Sequence, residues 1–255
     1  MNTNPFSLSG KTIIVTGASS GIGQQCAITF SRMGARIALY GRDQSRLEET
    51  LCQMTESEKH IICAVDLLEY DKIEETVKDV VMKIGRFDGL INCAGISTTL
   101  PLNAITPQKM EQFLKTNVIG AVNLTKQVIK SSHFSEAGGS IIFISSVMGV
   151  AGENGKVLYS MTKGALIAAV KSMAIELAPR KIRVNAISPG VVESPMSKSA
   201  IYSRNEESLN HIKALHPLGL GQTEDVANAC VFLLSDASRW VTGTNLIVDG
   251  GYLAK

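Results

Sequence analysis

Short apolar runs alternate with longer segments of helical periodicity along the whole chain. The apolar runs, rich in Ile and Val, predict seven strands, at residues 12–16, 35–40, 60–65, 87–91, 140–145, 182–187 and 245–248. Between them, the spacing of apolar residues predicts helices, one ending near residue 33 and others at 43–54, 69–84, 107–132, 156–178 and 224–234. Fully apolar strands separated by helices are typical of a parallel sheet covered on both faces. With right-handed crossovers, the pattern predicts a doubly wound, Rossmann-like α/β sheet.

No linker, repeat or low-complexity segment interrupts this alternation, so residues 1–255 are predicted to form a single domain. The least regular stretch is 192–216, which is polar and lies between a Pro-Gly turn and the last predicted helix. A plain surface excursion and a mobile substrate lid both fit this stretch. Its position beside the reacting centre, argued below, favours the lid.

Composition and charge narrow the class of protein. The formal net charge is +2 and basic residues form no tract, which gives little support to a nucleic-acid partner. No stretch approaches the roughly 18 apolar residues of a membrane span, and the polar first residues lack the apolar core of a secretion signal. A cytoplasmic protein is therefore expected. The five cysteines form no Cys-x-x-Cys pair, so neither a metal site nor a disulfide framework is predicted.

A glycine-rich loop follows the first predicted strand directly and leads into a helix. Glycine permits positive φ and lets the main chain approach a pyrophosphate, while the helix N-terminus offers unpaired N–H groups to the anion. Glycine in such a turn can be purely steric, but the first strand of a doubly wound sheet is the expected place for a phosphate loop. The candidate cofactor-binding residues of the loop are Gly17, Ser19, Ser20, Gly21, Ile22 and Gly23.

The order of several motifs resembles the short-chain dehydrogenase/reductase family over nearly the whole chain. The sequence TGASSGIG closely resembles that family's cofactor loop, and Asn92-Cys93-Ala94-Gly95 resembles its Asn-Ala-Gly signature. A Tyr-x-x-x-Lys pair, Pro189-Gly190 and a terminal Val-Asp-Gly-Gly follow in the family's order. The resemblance implies hydride transfer between a nicotinamide dinucleotide and a carbonyl or alcohol. In overall pattern the chain is similar to the 3-oxoacyl-carrier-protein reductases of this family.

The resemblance also assigns residues that hold the dinucleotide. It implies that Asp66, after the third strand, hydrogen-bonds the adenine, and that the segment after the sixth strand receives the carboxamide. Ser194 stands where relatives commonly have threonine. The residues assigned in this way are Asp66, Leu67, Asn92, Ala94, Gly95, Pro189, Gly190, Val192 and Ser194.

The end of the second strand bears on the choice between NADP and NAD. An acid there accepts hydrogen bonds from the ribose hydroxyls of NAD, whereas an arginine pairs with the 2′-phosphate of NADP. By resemblance, Gly41 stands in the place of the acid and Arg42 in that of the phosphate partner. NADP is therefore the preferred cofactor, with NAD as the alternative. Asp43 is most simply the N-cap of the next helix, although it could instead reach the ribose.

Four residues form the predicted catalytic group. Tyr159 and Lys163 lie four positions apart on a predicted helix, so both side chains leave one face. A free tyrosine has a pKa of about 10, and a nearby ammonium lowers that pKa. Such a pair is common by chance, but this one follows Ser146 by 13 residues, which is the family's spacing.

The resemblance implies a role for each member of the group. Tyr159 would be the general acid in reduction and the general base in oxidation, and Ser146 would hydrogen-bond the substrate oxygen. Lys163 would also hold the nicotinamide ribose, so that Tyr159 and Lys163 contact the cofactor. Asn117 would order a proton-relay water; otherwise its side chain would be satisfied by a local hydrogen bond. Ser145 is the rival to Ser146 and differs only in spacing.

The substrate is less clear from the sequence. Arg180 and Lys181 fit the basic cleft mouth that an acidic carrier protein would need, whereas Glu136 and Ala137 stand where such reductases tend to carry positive charge. A sugar, polyol, small ketone or steroid-like ring is the alternative to a 3-oxoacyl thioester. The lid's Tyr202, His211 and His216 offer no selective signature, and the two histidines, which have no ligand spacing, are interpreted as surface or lid residues rather than a metal site.

Two further readings come from other classes of protein. A non-catalytic dinucleotide-sensing protein could keep this fold, but such proteins usually lose the tyrosine or the lysine, and this chain has both. A homotetramer is expected from the family, since the apolar faces of 107–132 and 156–178 could pack against neighbouring subunits.

Overall fold

The computed structural model describes residues 4–200 and 205–254 and contains one sheet of seven parallel strands. The strand order is β3-β2-β1-β4-β5-β6-β7. The strands are β1 Thr12–Thr16, β2 Arg36–Gly41, β3 Ile61–Ala64, β4 Gly89–Asn92, β5 Gly139–Ile144, β6 Ile182–Pro189 and β7 Asn245–Val248. The predicted doubly wound α/β fold is thereby confirmed, and the strand ends differ from the prediction by at most two residues.

Nine helices in the described residues connect and cover these strands. They are α1 Gly21–Arg32, α2 Gln44–Leu51, α3 Tyr70–Ile84, α4 Pro107–Leu114, α5 Gly120–Val128, α6 Val157–Leu177, α7 Pro195–Lys198, α8 Glu206–Ala214 and α9 Thr223–Leu234. In the range 4–200 and 205–254, no helix is both long enough and apolar enough to cross a membrane.

Two apolar cores lie on opposite faces of the sheet. In β1, Ile13 and Val15 belong to the core shared with α1, α2 and α9, whereas Ile14 belongs to the core shared with α3, α5 and α6. Successive residues of a strand point to opposite faces. All five residues of β1 are therefore buried, which is why the central strand reads as a continuous apolar run.

A π-helical turn, Lys115–Ile119, separates α4 from α5. The single helix predicted over 107–132 is therefore wrong in detail. At this turn the Gly120 N–H donates to the Lys115 carbonyl, one residue farther back than the Thr116 carbonyl of a regular α-helix. Such insertions are frequent at functional sites because they change where helix groups point.

The stretch predicted to be irregular, 192–216, contains two helices in its described part, α7 and α8. Its residues 201–204, which include Tyr202, lie outside the described residues. The excursion is closed at its base by main-chain hydrogen bonds from Glu193 N–H to Gly221 O, 2.8 Å, and from Gly221 N–H to Val191 O, 3.0 Å. Whether the excursion moves as a lid stays a prediction.

Candidate active site

A cleft of about 400 Å³ opens at the carboxyl ends of the strands. Ligand sites of open parallel sheets lie at this edge, because the loops that follow the strands converge there. Most of the predicted site residues line this one cleft. They are Gly17, Ser19, Ser20, Gly21, Ile22, Arg42, Asp66, Leu67, Ala94, Gly95, Ser146, Tyr159, Lys163, Pro189, Gly190, Val192 and Ser194.

The glycine loop leaves room for a close main-chain approach. Gly17 has φ +67°, and a Cβ added there would lie 3.1 Å from the Ala94 Cα. A Cβ on Gly23 would lie 2.3 Å from the Gly17 carbonyl oxygen, so only glycine lets α1 start so close to β1. Gly21 and Ile22, in the first turn of α1, line the cleft, and this cradle fits a dinucleotide pyrophosphate.

Thr16 organises the two loops that meet beside this cradle. Its hydroxyl accepts hydrogen bonds from Cys93 N–H, 2.9 Å, and Ala94 N–H, 3.0 Å, and donates to the Ile91 carbonyl, 3.2 Å. These bonds hold the turn after β4 against the end of β1. Sequence reasoning missed this residue, although a hydroxyl at the end of the strand preceding a glycine loop is a usable signal.

Three predicted residues, Gly23, Asn92 and Asn117, are not on the cleft wall. The Asn92 side chain is buried and its Nδ2 donates to Thr125 Oγ1, 3.0 Å, on α5. The structure therefore supports a positioning role for Asn92, which holds the end of β4 against α5.

Asn117, in the π-helical turn, also bridges elements. Its Oδ1 accepts from Ile96 N–H, 2.8 Å, while its Nδ2 donates to the Ile96 carbonyl, 2.9 Å, and to Thr162 Oγ1, 3.0 Å. These partners belong to the loop after β4 and to α6, so the bonds are not the local ones that an isolated helical asparagine would make. The same π turn draws the Gly120 N–H away from the carbonyl of Thr116, which lies on the cleft wall.

The adenosine end of the cleft carries two guanidinium groups. Arg42 Nη1 lies 3.9 Å from Asp66 Oδ2, and the Arg42 side chain is 76% exposed. A shallow recess beside it is lined by Ser19, Arg42, Asp43 and Arg46. Asp43 Oδ1 accepts from Arg46 N–H, 3.2 Å, which confirms its interpretation as an N-cap. Arg46 was missed because the helical pattern alone indicates only a solvated charge.

The tyrosine and the lysine of the predicted catalytic group face one another on α6. Lys163 Nζ lies 5.5 Å from the centroid of the Tyr159 ring and donates to the Ile144 carbonyl, 2.7 Å. Burial lowers the pKa of Lys163 to about 8. The ammonium form therefore predominates at neutral pH and supplies positive charge beside the phenol.

The two serines after β5 have different roles. Ser145 is buried, and its hydroxyl donates to the Lys163 carbonyl, 2.9 Å, so it fastens α6 to the sheet. Ser146 Oγ accepts from Met148 N–H, 3.2 Å, and as an acceptor there it can still donate its own proton into the cleft. This difference supports Ser146 over its rival as the residue that meets a substrate oxygen.

The wall after β6 is held by the lid and by the C-terminal segment. The Val191 N–H donates to His216 Nε2, 3.1 Å, and the His216 ring lies 5.0 Å from that of Tyr252. His216 is only 3% exposed and ends the lid segment, so the lid interpretation fits it and the surface interpretation does not, whereas His211 is exposed. Ser194 caps α7 by accepting from Ser197 N–H, 3.3 Å.

Comparison with known proteins finds matches along most of the chain. A family model described as enoyl-(acyl carrier protein) reductase matches residues 17–253. The 3-oxoacyl-[acyl-carrier-protein] reductase FabG of Thermotoga maritima is 36% identical over 96% of this chain and 98% of its own length. This chain belongs to the short-chain dehydrogenase/reductase family. It is therefore an oxidoreductase of that type, as the motif order predicts.

Other members of the family that match the chain carry different names. Glucose 1-dehydrogenase of Gluconobacter oxydans is 33% identical over 95% of this chain and 91% of its own length. A solved 7α-hydroxysteroid dehydrogenase, described as complexed with NADH and 7-oxo glycochenodeoxycholic acid, superposes with a TM-score of 0.91. It is 29% identical, and the match covers 98% of this chain and 97% of that chain. Family membership thus fixes the type of reaction more tightly than the substrate.

The expectation that Arg180 and Lys181 lie at the mouth of the cleft is wrong for the cleft of their own subunit. Arg180 and Lys181 directly precede β6, whereas the cleft opens at the other end of this strand. A strand of eight residues spans roughly 26 Å. Arg180 donates to the Ile129 carbonyl, 2.5 Å, and Glu136 pairs with Arg86 at the same edge.

In the described ranges, no group of three or more His, Cys, Asp or Glu residues could hold a metal ion.

Proposed function

We propose that the chain interconverts a carbonyl compound and its alcohol with a nicotinamide dinucleotide, that it prefers NADP to NAD, and that Tyr159 is the general acid and base. The observation that carries this proposal is the arrangement of one cleft. A phenol, an ammonium and a serine hydroxyl line one part of it, and a glycine cradle with a helix N-terminus lines another.

The chain's own residues support proton transfer at one atom. The bound nicotinamide would supply the hydride, with its two electrons, to the carbonyl carbon. The Tyr159 hydroxyl would give its proton to the carbonyl oxygen, and solvent would return a proton to the phenolate. Ser146 donates a hydrogen bond to the same oxygen, and the Lys163 ammonium places positive charge beside the phenol and binds the ribose. Asn117 and the π-helical turn position the relay water in this proposal.

The preference for NADP rests on the two guanidinium groups at the adenosine end. Arg42 and Arg46 both line the recess next to the glycine loop, and Ser19 adds a hydroxyl. No acidic side chain follows Tyr40 directly, because Gly41 occupies that position. Arginine pairs with a phosphate through two parallel hydrogen bonds, so the recess favours a 2′-phosphate over a free hydroxyl.

The substrate proposed first is a 3-oxoacyl thioester, because the relative from Thermotoga maritima is named a 3-oxoacyl reductase and is similar over nearly its whole length. A sugar or small ketone is the second candidate, because glucose 1-dehydrogenase matches almost as well. The exposed apolar side chain of Ile175 on α6 supports assembly as a homotetramer. The single domain over residues 1–255, with a lid at 192–216, is part of the proposal.

The test measures oxidation of NADPH and NADH with 3-oxoacyl thioesters, ketones and sugars, in the wild type and in Tyr159→Phe. Loss of the hydroxyl is expected to reduce turnover at least about 100-fold, the size of a general-acid contribution, while NADPH binding stays nearly unchanged. Turnover retained in Tyr159→Phe would exclude this proton donor. Dinucleotide binding without turnover in the wild type would instead favour a sensing protein.

A further inference from the structure

The described residues contain two buried lysines, and the proposed chemistry uses only Lys163. The other is Lys156, which is 8% exposed and lies on the wall of the same cleft. It immediately precedes α6, three positions before Tyr159, so the two side chains lie about one helical turn apart. Its Nζ donates to Thr99 Oγ1, 2.8 Å.

This ammonium has no anionic partner in the described structure. Among residues 4–200 and 205–254, no carboxylate lies within 4.0 Å of Lys156 Nζ. Burial accordingly lowers the pKa of Lys156. A buried cation is costly unless an anion pairs with it.

A purely structural role does not account for the charge. The loop after β4 is already tied to the start of α6 by the main-chain hydrogen bond from Leu100 N–H to the Gly155 carbonyl, 2.8 Å. Thr99 is a neutral acceptor, which a neutral amide could serve equally well. Glu153, an exposed acid on the same cleft wall, raises the pKa of Lys156 against the larger effect of burial, but it forms no ion pair with Lys156.

We infer that Lys156 binds the carboxylate of a short 2-oxo or 3-oxo acid and places its carbonyl at Tyr159 and Ser146. This inference rests on the carbonyl reduction at Tyr159 proposed above, and it assigns that reaction a free oxo acid in place of the thioester and sugar candidates. In such an acid the carboxylate is one or two carbon atoms from the carbonyl group. One molecule can therefore reach Lys156 with its carboxylate and Tyr159 with its carbonyl, since these two side chains lie one helical turn apart. The carbonyl carbon receives the hydride and its oxygen the Tyr159 proton, giving the hydroxy acid, while the carboxylate stays unchanged.

The experiment compares substrates that differ in charge. Acetoacetate and 2-oxobutanoate carry the carboxylate, and ethyl acetoacetate keeps the ketone but masks the charge. The variants are Lys156→Gln, Lys156→Arg and, as a matched control, Lys78→Gln, which removes an exposed lysine that is not on the cleft wall. Initial rates with NADPH give KM and kcat for each combination. Binding of acetoacetate to the NADP⁺ complex, measured by calorimetry, gives a readout that needs no turnover.

In the wild type, at least one of the two oxo acids should have a lower KM than the ester. Lys156→Gln should raise the KM for that acid about 10- to 100-fold, the size of a charge-assisted hydrogen bond, with a smaller change for the ester. Lys156→Arg should recover part of the loss, and Lys78→Gln should leave the KM for the acid unchanged. Calorimetric affinity should follow the same order.

Two results would overturn the inference and leave the proposed function intact. One is a wild type that reduces the ester but neither acid. The other is a Lys156→Gln variant that loses acid and ester activity equally, with a lowered unfolding temperature, which would indicate a structural role. Absence of turnover with every carbonyl compound would instead contradict the proposed function, and acetoacetate binding would then decide the inference by itself.

Discussion

The two ends of the cleft are built in different ways. At the dinucleotide end, the wall is mainly main chain: the glycine loop after β1 and the turn after β4, both held by Thr16. At the substrate end, the wall consists of side chains from separate segments. These include Met148, Glu153, Lys156, Met196, Ile212 and Tyr252.

Because of this difference, the dinucleotide end of the cleft tolerates few substitutions, whereas the substrate end can vary. Main-chain contacts depend on φ and on the absence of a Cβ, so almost any substitution in the glycine loop disturbs them. Contacts made by side chains can change one residue at a time without moving the sheet. Relatives about one-third identical therefore share the fold while bearing the names of 3-oxoacyl, glucose and steroid enzymes.

The largest effect is expected at the main-chain end, from Gly23→Ala. The new Cβ would lie 2.3 Å from the Gly17 carbonyl oxygen, so α1 or the loop must shift. Affinity for NADPH, measured by fluorescence titration, should fall at least about 100-fold, since the cradle loses its shape. Gly152→Ala, at the substrate end, is the matched control because its Cβ meets nothing within 4 Å. Equal NADPH affinity in both variants would remove the distinction between the two ends.

An intermediate effect is expected where a side chain pairs with the 2′-phosphate that distinguishes NADP from NAD. Arg42→Ala should weaken NADPH binding about 10- to 100-fold, because a charge-assisted pair with the 2′-phosphate is lost. NADH should be affected less than about threefold, as no phosphate is present there. Arg46→Ala should show the same selectivity with a smaller loss. Arg86→Ala, at the opposite sheet edge, serves as the control. Equal losses for both cofactors would contradict the NADP assignment.

The smallest effect concerns stability at Lys163, between the two ends. Its pKa is about 8 in the folded protein against 10.5 for an ordinary lysine, so folding carries a penalty below pH 8. The penalty shrinks as pH rises from 8 to 10.5, because the folded lysine is then neutral while the unfolded one holds its proton less and less favourably. At neutral pH it is at most about 3 kcal/mol, and losing the hydrogen bond to Ile144 offsets about 1 kcal/mol.

Lys163→Met should therefore raise the unfolding temperature of the dinucleotide-free protein by about 2 to 6 °C at pH 7. The gain should decrease steadily towards pH 10. Lys78→Met, which removes an exposed ion-paired lysine, should change little at either pH. A lower unfolding temperature for Lys163→Met at pH 7, or a gain independent of pH, would refute the assigned cost of burial.

Much of the fold could be predicted because the central strands are buried on both faces. Ile13, Ile14 and Val15 each face a core, so their apolar run has one reasonable interpretation. The glycine loop could be predicted for a related reason, since main-chain geometry leaves few alternatives to glycine. For these parts, local residue type and global structure impose the same requirement.

The remaining features depend on contacts between distant segments. The π-helical turn at Lys115–Ile119 has no periodic signature, and its Asn117 is satisfied by Ile96 and Thr162. Helix α8 buries mainly Ile212, which gives too little apolar periodicity to be recognised. Lys156 looks like an ordinary surface charge until the fold shows that it is buried at the cleft.

The two main-chain hydrogen bonds that Gly221 makes with Val191 and Glu193 have a practical consequence. Because two main-chain hydrogen bonds join the ends of the excursion, its length and composition can be altered without pulling on β6 or α9. The part to exchange with a relative is therefore 195–215, which leaves out His216 and the assigned cofactor residues Val192 and Ser194. Such chimeras would acquire new substrate preferences while keeping the cofactor of the recipient.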